Sequence, residues 1–580
     1  MLKKKLCTWL ECKPLLMFLK FKDEVSSVLS NALESAGFET CDMALGESPH
    51  ADIASSVAFR LASRYKKSPK EICDIIRDKI KIVPDSYIER VETAGPYLNF
   101  FASRAFLNEN VLRILLDREN FGRLGNKGKI ILEHTSANPD GPLHIGHVRN
   151  SVIGDTLARI LDRAGFDVER QYYINDMGRQ VAVVVWGLEN FKLDTTKKPD
   201  HAIAEVYIEA NKTLVDEKEH SPEVNNFMKK YEEGDTDTIT LFRNAMDTAI
   251  LGIKETLIRM NIHHDNFILE SRFVRSGDVD KIVERIKETG RAAIKDGALM
   301  VDLKDKGIQK ALVIQRSDGT SLYTTRDLAY HEWKAGQCDR MIDILGADHK
   351  LISSQLKAVL SIIGIKEPEI VIFEFVSLPE GSMSTRRGVF ISADEVLDQV
   401  RQAAYEEVAK RRPETDEEFK KKVSEFVGIG AVRYDIIRVS PEKSTTFDWK
   451  QALDFEKQGA PFIQYAHARA CSIIKNAEEK GAVLGEFDPN ILVEEQEVAL
   501  IKKLAAFENV IDIAAHDLKP ALPAIYAREL ADAFNQFYRF VPVLSAEPEY
   551  VKARLALVEC SRIVLANALD TLGITAPESM

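Results

Sequence analysis

The segment from residue 137 to residue 147 constrains the fold of this chain more than any other stretch. It reads Ala-Asn-Pro-Asp-Gly-Pro-Leu-His-Ile-Gly-His and lies between a short apolar run at 130–132 and an amphipathic run at 148–164. Proline and glycine residues are typical of a turn, and a polar residue before an amphipathic run is typical of a helix start. The pattern therefore predicts a strand, a turn and a helix that begins at two histidines.

These histidines, His144 and His147, are three residues apart at the predicted helix start. Residues at this spacing share one face of a helix, so both imidazoles can reach the same anion. A helix N-terminus presents unpaired N–H groups and a partial positive charge, which suit a phosphate. Gly146 has no Cβ, so a flat ring or a phosphate can approach its backbone closely. The segment predicts a nucleotide site, against the alternative of a structural loop with incidental histidines.

Composition indicates a multidomain globular protein. The chain has 580 residues, of which 45% are apolar and 29% charged, and this length predicts about three or four domains. No apolar run approaches the ~20 residues of a membrane span. Seven scattered cysteines without a C-x-x-C pair fit neither a disulfide framework nor a zinc site. We therefore expect a reduced, cytoplasmic protein with no structural metal and no membrane partner.

Charge and the N-terminus exclude two further classes of protein. A net charge of −12 argues against a general RNA binder but not against a selective one, which needs only a local basic surface. Three lysines precede apolar residues at the N-terminus, as in a signal peptide, but Glu11, Lys13 and Lys20 interrupt the apolar run and no small-residue cleavage site follows. We interpret residues 1–16 as an extension before the first domain.

The remaining pattern predicts an α/β protein with flanking domains. Further strand-like runs, separated by helical stretches, occur at residues 167–174, 311–314, 341–345 and 370–375. This alternation predicts a Rossmann-type parallel sheet within residues 104–400, with a ligand site at the carboxyl ends of its strands. A charged, largely helical region at about 190–300 is predicted to be an insertion.

The flanking regions differ from this α/β pattern. Residues 17–103 combine helices with a strand, a turn and a strand at 88–101, which predicts an α+β domain. Residues 401–454 are predicted to be a helical connector. Residues 455–580 contain almost no strand pattern and are predicted to form an all-α bundle.

The turn and its surroundings resemble class I aminoacyl-tRNA synthetases, whose HIGH motif matches residues 144–147. The wider stretch 133–180, including Tyr-Tyr-Ile-Asn-Asp-Met-Gly at 172–178, is similar to one family of that class, the arginyl-tRNA synthetases. The similarity extends over nearly all of residues 17–580. It implies that the chain ligates L-arginine to tRNA(Arg) through an arginyl-adenylate. It also implies ATP with Mg²⁺, activation that depends on tRNA, and a monomer.

The resemblance assigns the phosphate contacts to two segments. His144 and His147 would stabilise charge on the ATP phosphates, where catalysis is chiefly positioning and electrostatics, and Gly146 would lie against the nucleotide. The KMSKS motif of the family matches Gly-Ser-Met-Ser-Thr-Arg-Arg-Gly at 381–388, without either lysine. The expected ATP-binding residues of this segment are Met383, Ser384, Arg386 and Arg387, with Arg386 as the third catalytic residue because its fork suits phosphate.

The expected arginine pocket follows from the chemistry of a guanidinium, which has five donors and no acceptor. Carboxylates that face it also discriminate against the point charge of lysine. Glu133 and Asn138 flank the exit of the first strand, and Tyr323 and Asp327 lie four residues apart, on one face if helical. These four positions match arginine-binding residues of the family, and His349 is a further candidate.

The resemblance also predicts two contacts with tRNA. The helical region at 464–470, Gln-Tyr-Ala-His-Ala-Arg-Ala, resembles the anticodon-binding domain of the family, so Tyr465 and Arg469 are candidates to stack on splayed bases. Each such contact contributes about 1–3 kcal/mol. A buried bundle tyrosine is the alternative for Tyr465. Residues 17–103 resemble the N-terminal domain that contacts the D-loop side of the tRNA.

Two other classes of function stay open at this point. A small-molecule nucleotidyltransferase also places paired histidines at a helix mouth, but it needs neither an arginine pocket nor a large helical C-terminal domain. A catalytically silent tRNA-binding paralogue would fit the missing lysines of the KMSKS-like segment. The retention of Glu133, His144, His147 and Asp327 favours an active enzyme.

Overall fold

The computed structural model describes residues 16–48, 50–216, 221–379, 391–456 and 458–580. The predicted extension therefore lies almost wholly outside the described residues. The same holds for the KMSKS-like segment at 381–388, with Met383, Ser384, Arg386 and Arg387. No helix in the described part of the chain is long and apolar enough to cross a membrane.

The first domain packs helices against a four-stranded antiparallel sheet of order β1-β2-β4-β3. Its elements are α1 (Met17–Ser35), β1 (Leu45–Ser48), β2 (Ala51–Ser55), α2 (Val57–Tyr65), α3 (Pro69–Arg77), β3 (Ile88–Ala94) and β4 (Tyr97–Ala102). The predicted strand, turn and strand are thus confirmed as β3 and β4. The β1–β2 hairpin was not predicted, because its short strands contain mostly small and polar residues rather than β-branched ones.

The central region alternates strands and helices, as predicted. Its first half contains α4 (Arg104–Asp117), β5 (Lys129–Glu133), α5 (Ile145–Arg163), β6 (Asp167–Ile174), α6 (Arg179–Asn190), α7 (Pro199–Asp216), α8 (Ser221–Glu233), α9 (Thr236–Arg259) and β7 (Asn266–Leu269). Its second half contains α10 (Ser271–Arg275), α11 (Asp278–Glu288), β8 (Ala292–Lys295), β9 (Ala298–Val301), β10 (Leu312–Gln315), α12 (Tyr323–Ala335), β11 (Arg340–Gly346), α13 (Lys350–Ile362), β12 (Glu369–Phe373) and β13 (Val376–Ser377).

A parallel sheet of order β12-β11-β5-β6-β7 forms the centre of this region. Strand β5 is its middle strand and is buried almost throughout. Buried parallel strands read as continuous apolar runs, which explains why the sequence predicted most of them. All carboxyl ends lie at one edge, where the turn from β5 to α5 also lies.

One prediction about this region is wrong. The run at 311–314 belongs to β10, which pairs antiparallel with β9 in a separate sheet of order β10-β9-β8. The region 190–300 is largely helical, as predicted, but it also contains β8, the start of β9, and β7, the edge strand of the parallel sheet. These strands have only four residues each, so their periodicity cannot be distinguished from that of neighbouring helices.

The C-terminal part is helical except for β14 (Thr445–Thr446), which pairs with β13. Its helices are α14 (Ala393–Arg411), α15 (Glu417–Ile437), α16 (Trp449–Ala452), α17 (Ala460–Glu479), α18 (Glu495–Ala505), α19 (Phe507–His516), α20 (Ala521–Phe540) and α21 (Pro548–Thr571). The prediction that helices dominate after residue 455 is confirmed for the described residues. Helix α14 begins before the predicted connector at 401–454.

Arg433 joins the central region to the helical bundle. This side chain of α15 is fully buried and forms an ion pair with Asp155 of α5. Its guanidinium also donates to the carbonyl oxygens of Met260 at 2.7 Å and Leu572 at 2.9 Å. A buried charge needs such a complete set of partners, so this contact locks α5, α15 and the end of α21 together.

We expect Gly573→Ala to destabilise the protein by about 2–4 kcal/mol. Gly573 has a φ of +67°, and a Cβ there would overlap the guanidinium of Arg433. Gly481→Ala is the matched control, because its φ is +77° with nothing within 4 Å of the added Cβ, and it should lose only about 1 kcal/mol. Urea denaturation followed by circular dichroism measures both values. Equal losses in the two variants would contradict the role of Arg433.

Candidate active site

His144 and His147 form the predicted helix start. His144 is the N-cap of α5, and its Nδ1 accepts hydrogen bonds from the backbone N–H of Gly146 at 3.0 Å and of His147 at 3.4 Å. The backbone N–H of His144 in turn donates to Nδ1 of His147 at 3.4 Å. The two rings stack with centroids 3.7 Å apart. This reciprocal capping satisfies backbone donors that a helix start would otherwise leave unpaired.

Gly146 lies against the ring of His144, and its expected contact with a nucleotide stays a prediction. A Cβ on Gly146 would lie 2.8 Å from Cε1 of His144, which is too close for unbonded carbon atoms. The flat ring that approaches this backbone is therefore the imidazole of His144 itself.

The capping bonds determine the protonation of both imidazoles. Each Nδ1 accepts a backbone N–H, so in the neutral ring the proton must be on Nε2. Burial, with a contribution from His144, lowers the pKa of His147 to about 3, and burial also lowers the pKa of His144. Both rings are consequently neutral near pH 7 and have an Nε2–H donor.

Arg149, one turn further along α5, holds the chain on the N-terminal side of the KMSKS-like segment. Its fully buried guanidinium donates to the carbonyl oxygens of Glu374 at 2.8 Å and Phe375 at 3.0 Å. It also donates to three carbonyls at 440–443. Because the backbone turns away to meet Arg149, β12 ends at Phe373, two residues before the predicted end of this strand.

The residues that follow the KMSKS-like segment also contact the turn. Ser392 forms an isolated β-bridge with His144, and the backbone N–H of Ala393 donates to the carbonyl of Leu143 at 2.7 Å. The described residues on both sides of 380–390 are thus attached to the turn or to the helix that contains the two histidines.

A buried group of charges, the charge cluster, lies at the end of β5. Its members are Glu133, Asp327, His331, Lys334 and Asp343. The Lys334 ammonium, which is fully buried, donates to Oε2 of Glu133 at 3.0 Å and to Oδ1 of Asp343 at 2.7 Å. Nε2 of His331 lies 2.8 Å from Oδ2 of Asp343, and its Nδ1 lies 3.1 Å from Oδ1 of Asp327.

Burial and the neighbouring charges of the cluster shift the pKa values of Glu133, His331 and Asp343. Burial raises the pKa of Glu133. Burial alone would lower the pKa of His331, but the carboxylates of Asp343 and Asp327 raise it to about 10. Burial would raise the pKa of Asp343, yet Lys334 and His331 hold it well below its usual range. Both cations are therefore charged at neutral pH.

Three other predicted pocket residues, Tyr323, Asn138 and His349, are not members of the cluster. Tyr323 and Asp327 lie one turn apart on α12, so the predicted shared helix face is confirmed, and Tyr323 is 49% exposed. The Asn138 amide donates to the side-chain oxygen of Gln180 at 2.6 Å. His349 lies in the short helical turn after β11, half-exposed, with its Nε2 3.7 Å from Asp348. No hydrogen bond between described residues links Asn138 or His349 to the cluster.

Sequence reasoning missed Lys334, His331 and Asp343. Asp327, His331 and Lys334 follow one another at intervals of four and three residues, which places them on one face of α12. That spacing was a usable signal. Asp343 lies inside an apolar strand, and no local pattern indicates which charge it meets.

The candidate tRNA-binding residues form an exposed aromatic group in the bundle. Tyr465 is 44% exposed and Tyr538 of α20 is 45% exposed. The Arg469 guanidinium lies over both rings, 4.7 Å and 5.2 Å from their centroids. The three side chains line a cleft of about 570 Å³ that also contains Arg412 and Lys475. Tyr465 is thus not a core residue, and Tyr538 is a further candidate that the sequence did not indicate.

One group of described residues has the spacing of metal ligands, namely Asp200, His201 and Asp394. The Lys198 ammonium already bonds both carboxylates, at 3.0 Å and 2.8 Å. A cation in that position takes the place a metal would need, so the group does not fit a resident metal. The five cysteines among the described residues are free thiols.

The parallel sheet and the paired histidines at its carboxyl edge together define the catalytic domain of a class I aminoacyl-tRNA synthetase. The family model for tRNA synthetases class I (R), catalytic domain, matches residues 110–449. The models for the arginyl tRNA synthetase N terminal domain and the DALR anticodon binding domain match residues 20–102 and 463–580. The chain belongs to the arginyl-tRNA synthetase family.

Similar proteins agree with this assignment along the whole chain. The arginine–tRNA ligase of Methanosarcina barkeri is 63% identical over 569 residues, which are 97% of this chain and all of that protein. The arginine–tRNA ligase of Archaeoglobus fulgidus is 50% identical over 564 residues. The structure of Thermus thermophilus arginyl-tRNA synthetase superposes with a TM-score of 0.84 at 26% identity, over 96% of this chain and 99% of that one.

We expect Arg149→Lys to lower the free energy of unfolding by about 2–3 kcal/mol, because a single ammonium cannot reach the carbonyls that the guanidinium bonds on two sides. The matched control is Arg123→Lys, whose side chain is largely exposed and which should change stability by less than about 0.5 kcal/mol. Chemical denaturation measures both. If Arg149→Lys left the free energy of unfolding unchanged, Arg149 would not hold these segments.

Proposed function

We propose that this chain ligates L-arginine to tRNA(Arg) in two steps at the carboxyl edge of its parallel sheet. In the first step the arginine carboxylate attacks the α-phosphorus of ATP, and the bond to pyrophosphate breaks. In the second, a ribose hydroxyl of the terminal adenosine attacks the acyl carbon, and AMP leaves. The observation that carries the proposal is that two stacked imidazoles at a helix start and a cluster of buried carboxylates lie at the two ends of the turn that joins β5 to α5.

The guanidinium of arginine would lie between Glu133 and Asp327. Each carboxylate has one oxygen bonded to a cation of the cluster, Lys334 or His331. The second oxygen of Glu133 accepts only from Ser136 Oγ, at 3.2 Å, among the described residues. Two carboxylates that face one ligand fit the planar guanidinium of arginine better than the single ammonium of lysine. Tyr323 would lie against the guanidinium end, Asn138 would bind the α-amino group, and His349 would line the pocket.

His144 and His147 would bind the phosphates of ATP as neutral donors, through Nε2–H. A fixed tautomer needs no reorganisation when charge develops on the phosphate oxygens, and such preorganised donors contribute most to catalysis of this kind. Gly146 would contact the nucleotide at the same helix start. Titration of the two rings should therefore cause no inflection in the activation rate between about pH 6 and pH 8.

Pyrophosphate would be bound by the KMSKS-like segment, through Arg386 and Arg387 with Met383 and Ser384. Support comes from the flanking residues, since Phe375 is bonded to Arg149 and Ser392 to His144. Arginine is permanently charged and binds phosphate through two N–H groups, so it can replace a lysine here. Mg²⁺ would enter with ATP and contribute charge neutralisation. We further propose that the protein is a cytoplasmic monomer. Its free thiols are suited to a reducing compartment.

The tRNA would contact the two flanking domains. Tyr465 and Arg469, with Tyr538, offer stacking surfaces for unpaired bases in the cleft of the bundle. The matched N-terminal domain would approach the D-loop side. Arg433 locks the bundle to α5. Binding of tRNA to the bundle would therefore be connected, through this ion pair, to the helix that begins at the histidines.

Charging of total tRNA with each of the twenty labelled amino acids tests the function. We expect charging with arginine alone, and a 10²- to 10³-fold lower rate in His147→Ala, because one transition-state donor is lost (about 10²–10³ per donor). His516→Ala is the matched control, since this histidine is highly exposed in the bundle. Charging with a different amino acid would overturn the pocket. Binding of tRNA without any charging would identify a silent paralogue instead.

We also expect ATP–pyrophosphate exchange with arginine to stay near background until tRNA is added. In Tyr465→Ala, the tRNA concentration that gives half-maximal exchange should rise about tenfold, as expected for the loss of one stacking contact. The control is Tyr207→Phe, in α7 of the central region, which leaves the bundle and the N-terminal domain unchanged. Strong exchange without tRNA would refute the dependence, and an unchanged half-maximal concentration would remove Tyr465 from the tRNA interface.

A further inference from the structure

The position of Lys334 is unusual for a lysine because it is far from solvent. Its ammonium is fully buried and bridges Glu133 at the end of β5 to Asp343 in β11. It also lies 4.1 Å from the ring centroid of Tyr330, which stacks on Tyr173 of β6. A buried lysine is rare unless it is paired, and here its partners include a carboxylate proposed to bind the substrate.

The charges of the cluster do not cancel. Among the described residues, the carboxylates of Glu133, Asp327 and Asp343 form ion pairs with two cations, Lys334 and His331. The neighbouring pair of Arg326 and Glu270 is neutral as a unit. One negative charge is therefore left without a partner in a buried place, where an unpaired charge is strongly unfavourable.

Asp343 contacts both cations, whereas Asp327 and Glu133 contact one each, and the Asp327 side chain is 30% exposed while that of Glu133 is 11% exposed. The surplus charge is therefore most strongly disfavoured at Glu133. Its pKa is raised by burial, while that of Asp343 is held low by Lys334 and His331. The groups that face Glu133 are Lys334, His331 and Asp327 of α12, Asp343 of β11, and the tyrosines Tyr173 and Tyr330. Among these, Lys334 is the cation in direct contact with Glu133.

We propose that Lys334 is a positioning and specificity-determining residue: its ammonium holds Glu133 in place as an anion and leaves the pocket short by a single positive charge, which the guanidinium of arginine supplies. The inference rests on the proposed function of the site. It predicts that the pocket selects its substrate by the single positive charge of the side chain as well as by the shape of that side chain. Without Lys334 the pocket would have two surplus negative charges, and Glu133 would take up a proton before arginine binds.

The test is the pH dependence of KM for arginine in Lys334→Gln, measured by tRNA charging. The amide keeps an N–H donor for Glu133 while the charge is lost, and circular dichroism checks that the variant is folded. We expect KM for arginine to rise at least about tenfold at pH 7 and to return toward the wild-type value as the pH is raised, because Glu133 then loses its proton. The KM for ATP should change less than about twofold. The variant Lys357→Gln, whose lysine is partly exposed and pairs with Glu367, is the matched control.

A second variant separates charge from packing. In Lys334→Gln with Asp343→Asn, one of the surplus negative charges is removed, so KM for arginine should recover at a lower pH than in Lys334→Gln alone. A merely structural role predicts a pH-independent rise in KM and a double variant no better than the single one, and either result would overturn the inference. If wild-type protein does not charge arginine, the proposed function itself fails, which the same assay distinguishes.

Discussion

Helix α5 can be buried on nearly every side only because each of its charged residues has a partner on another element. Arg149 bonds backbone carbonyls near β12, Asp155 pairs with Arg433 of α15, and Arg163 donates to Asp570 of α21 and to the carbonyl of Phe121. Unpaired, any of these charges would be strongly unfavourable in such an environment. The position of the two histidines at its start therefore depends on contacts from three separate parts of the chain.

The two halves of the proposed active site lie at the two ends of one turn. Strand β5 ends at Glu133, and the turn that follows leads to His144 at the start of α5. The substrate carboxylate must come within bonding distance of the α-phosphorus, so the group that holds arginine and the groups that hold ATP need a fixed separation. The connection between β5 and α5, together with the ion pairs that hold α5 against the C-terminal helices, keeps these two ends of the turn in place.

The sequence predicted what depends on local order and missed what depends on distant contacts. The helix start at His144 and the shared face of Tyr323 and Asp327 follow from spacing alone, and both are present. The pairing of β10 with β9 could not be predicted, because an apolar run of four residues does not indicate its partner. Lys334 was missed for a similar reason: a lysine in a helix is normally exposed, and only β5 and β11 together bury this one.

The strand order has a consequence for how the protein is made. Both strands that pair with the middle strand β5 come later in the chain. Strand β6 follows after one helix. Strand β11, whose Arg340 pairs with Ile130, is synthesised only after the whole insertion. Contacts so distant in sequence form slowly. The antiparallel N-terminal sheet is complete by β4, before any strand of the parallel sheet has been synthesised. Until β11 emerges, one edge of β5 has no partner in the sheet, and the nascent enzyme is exposed to aggregation over that interval.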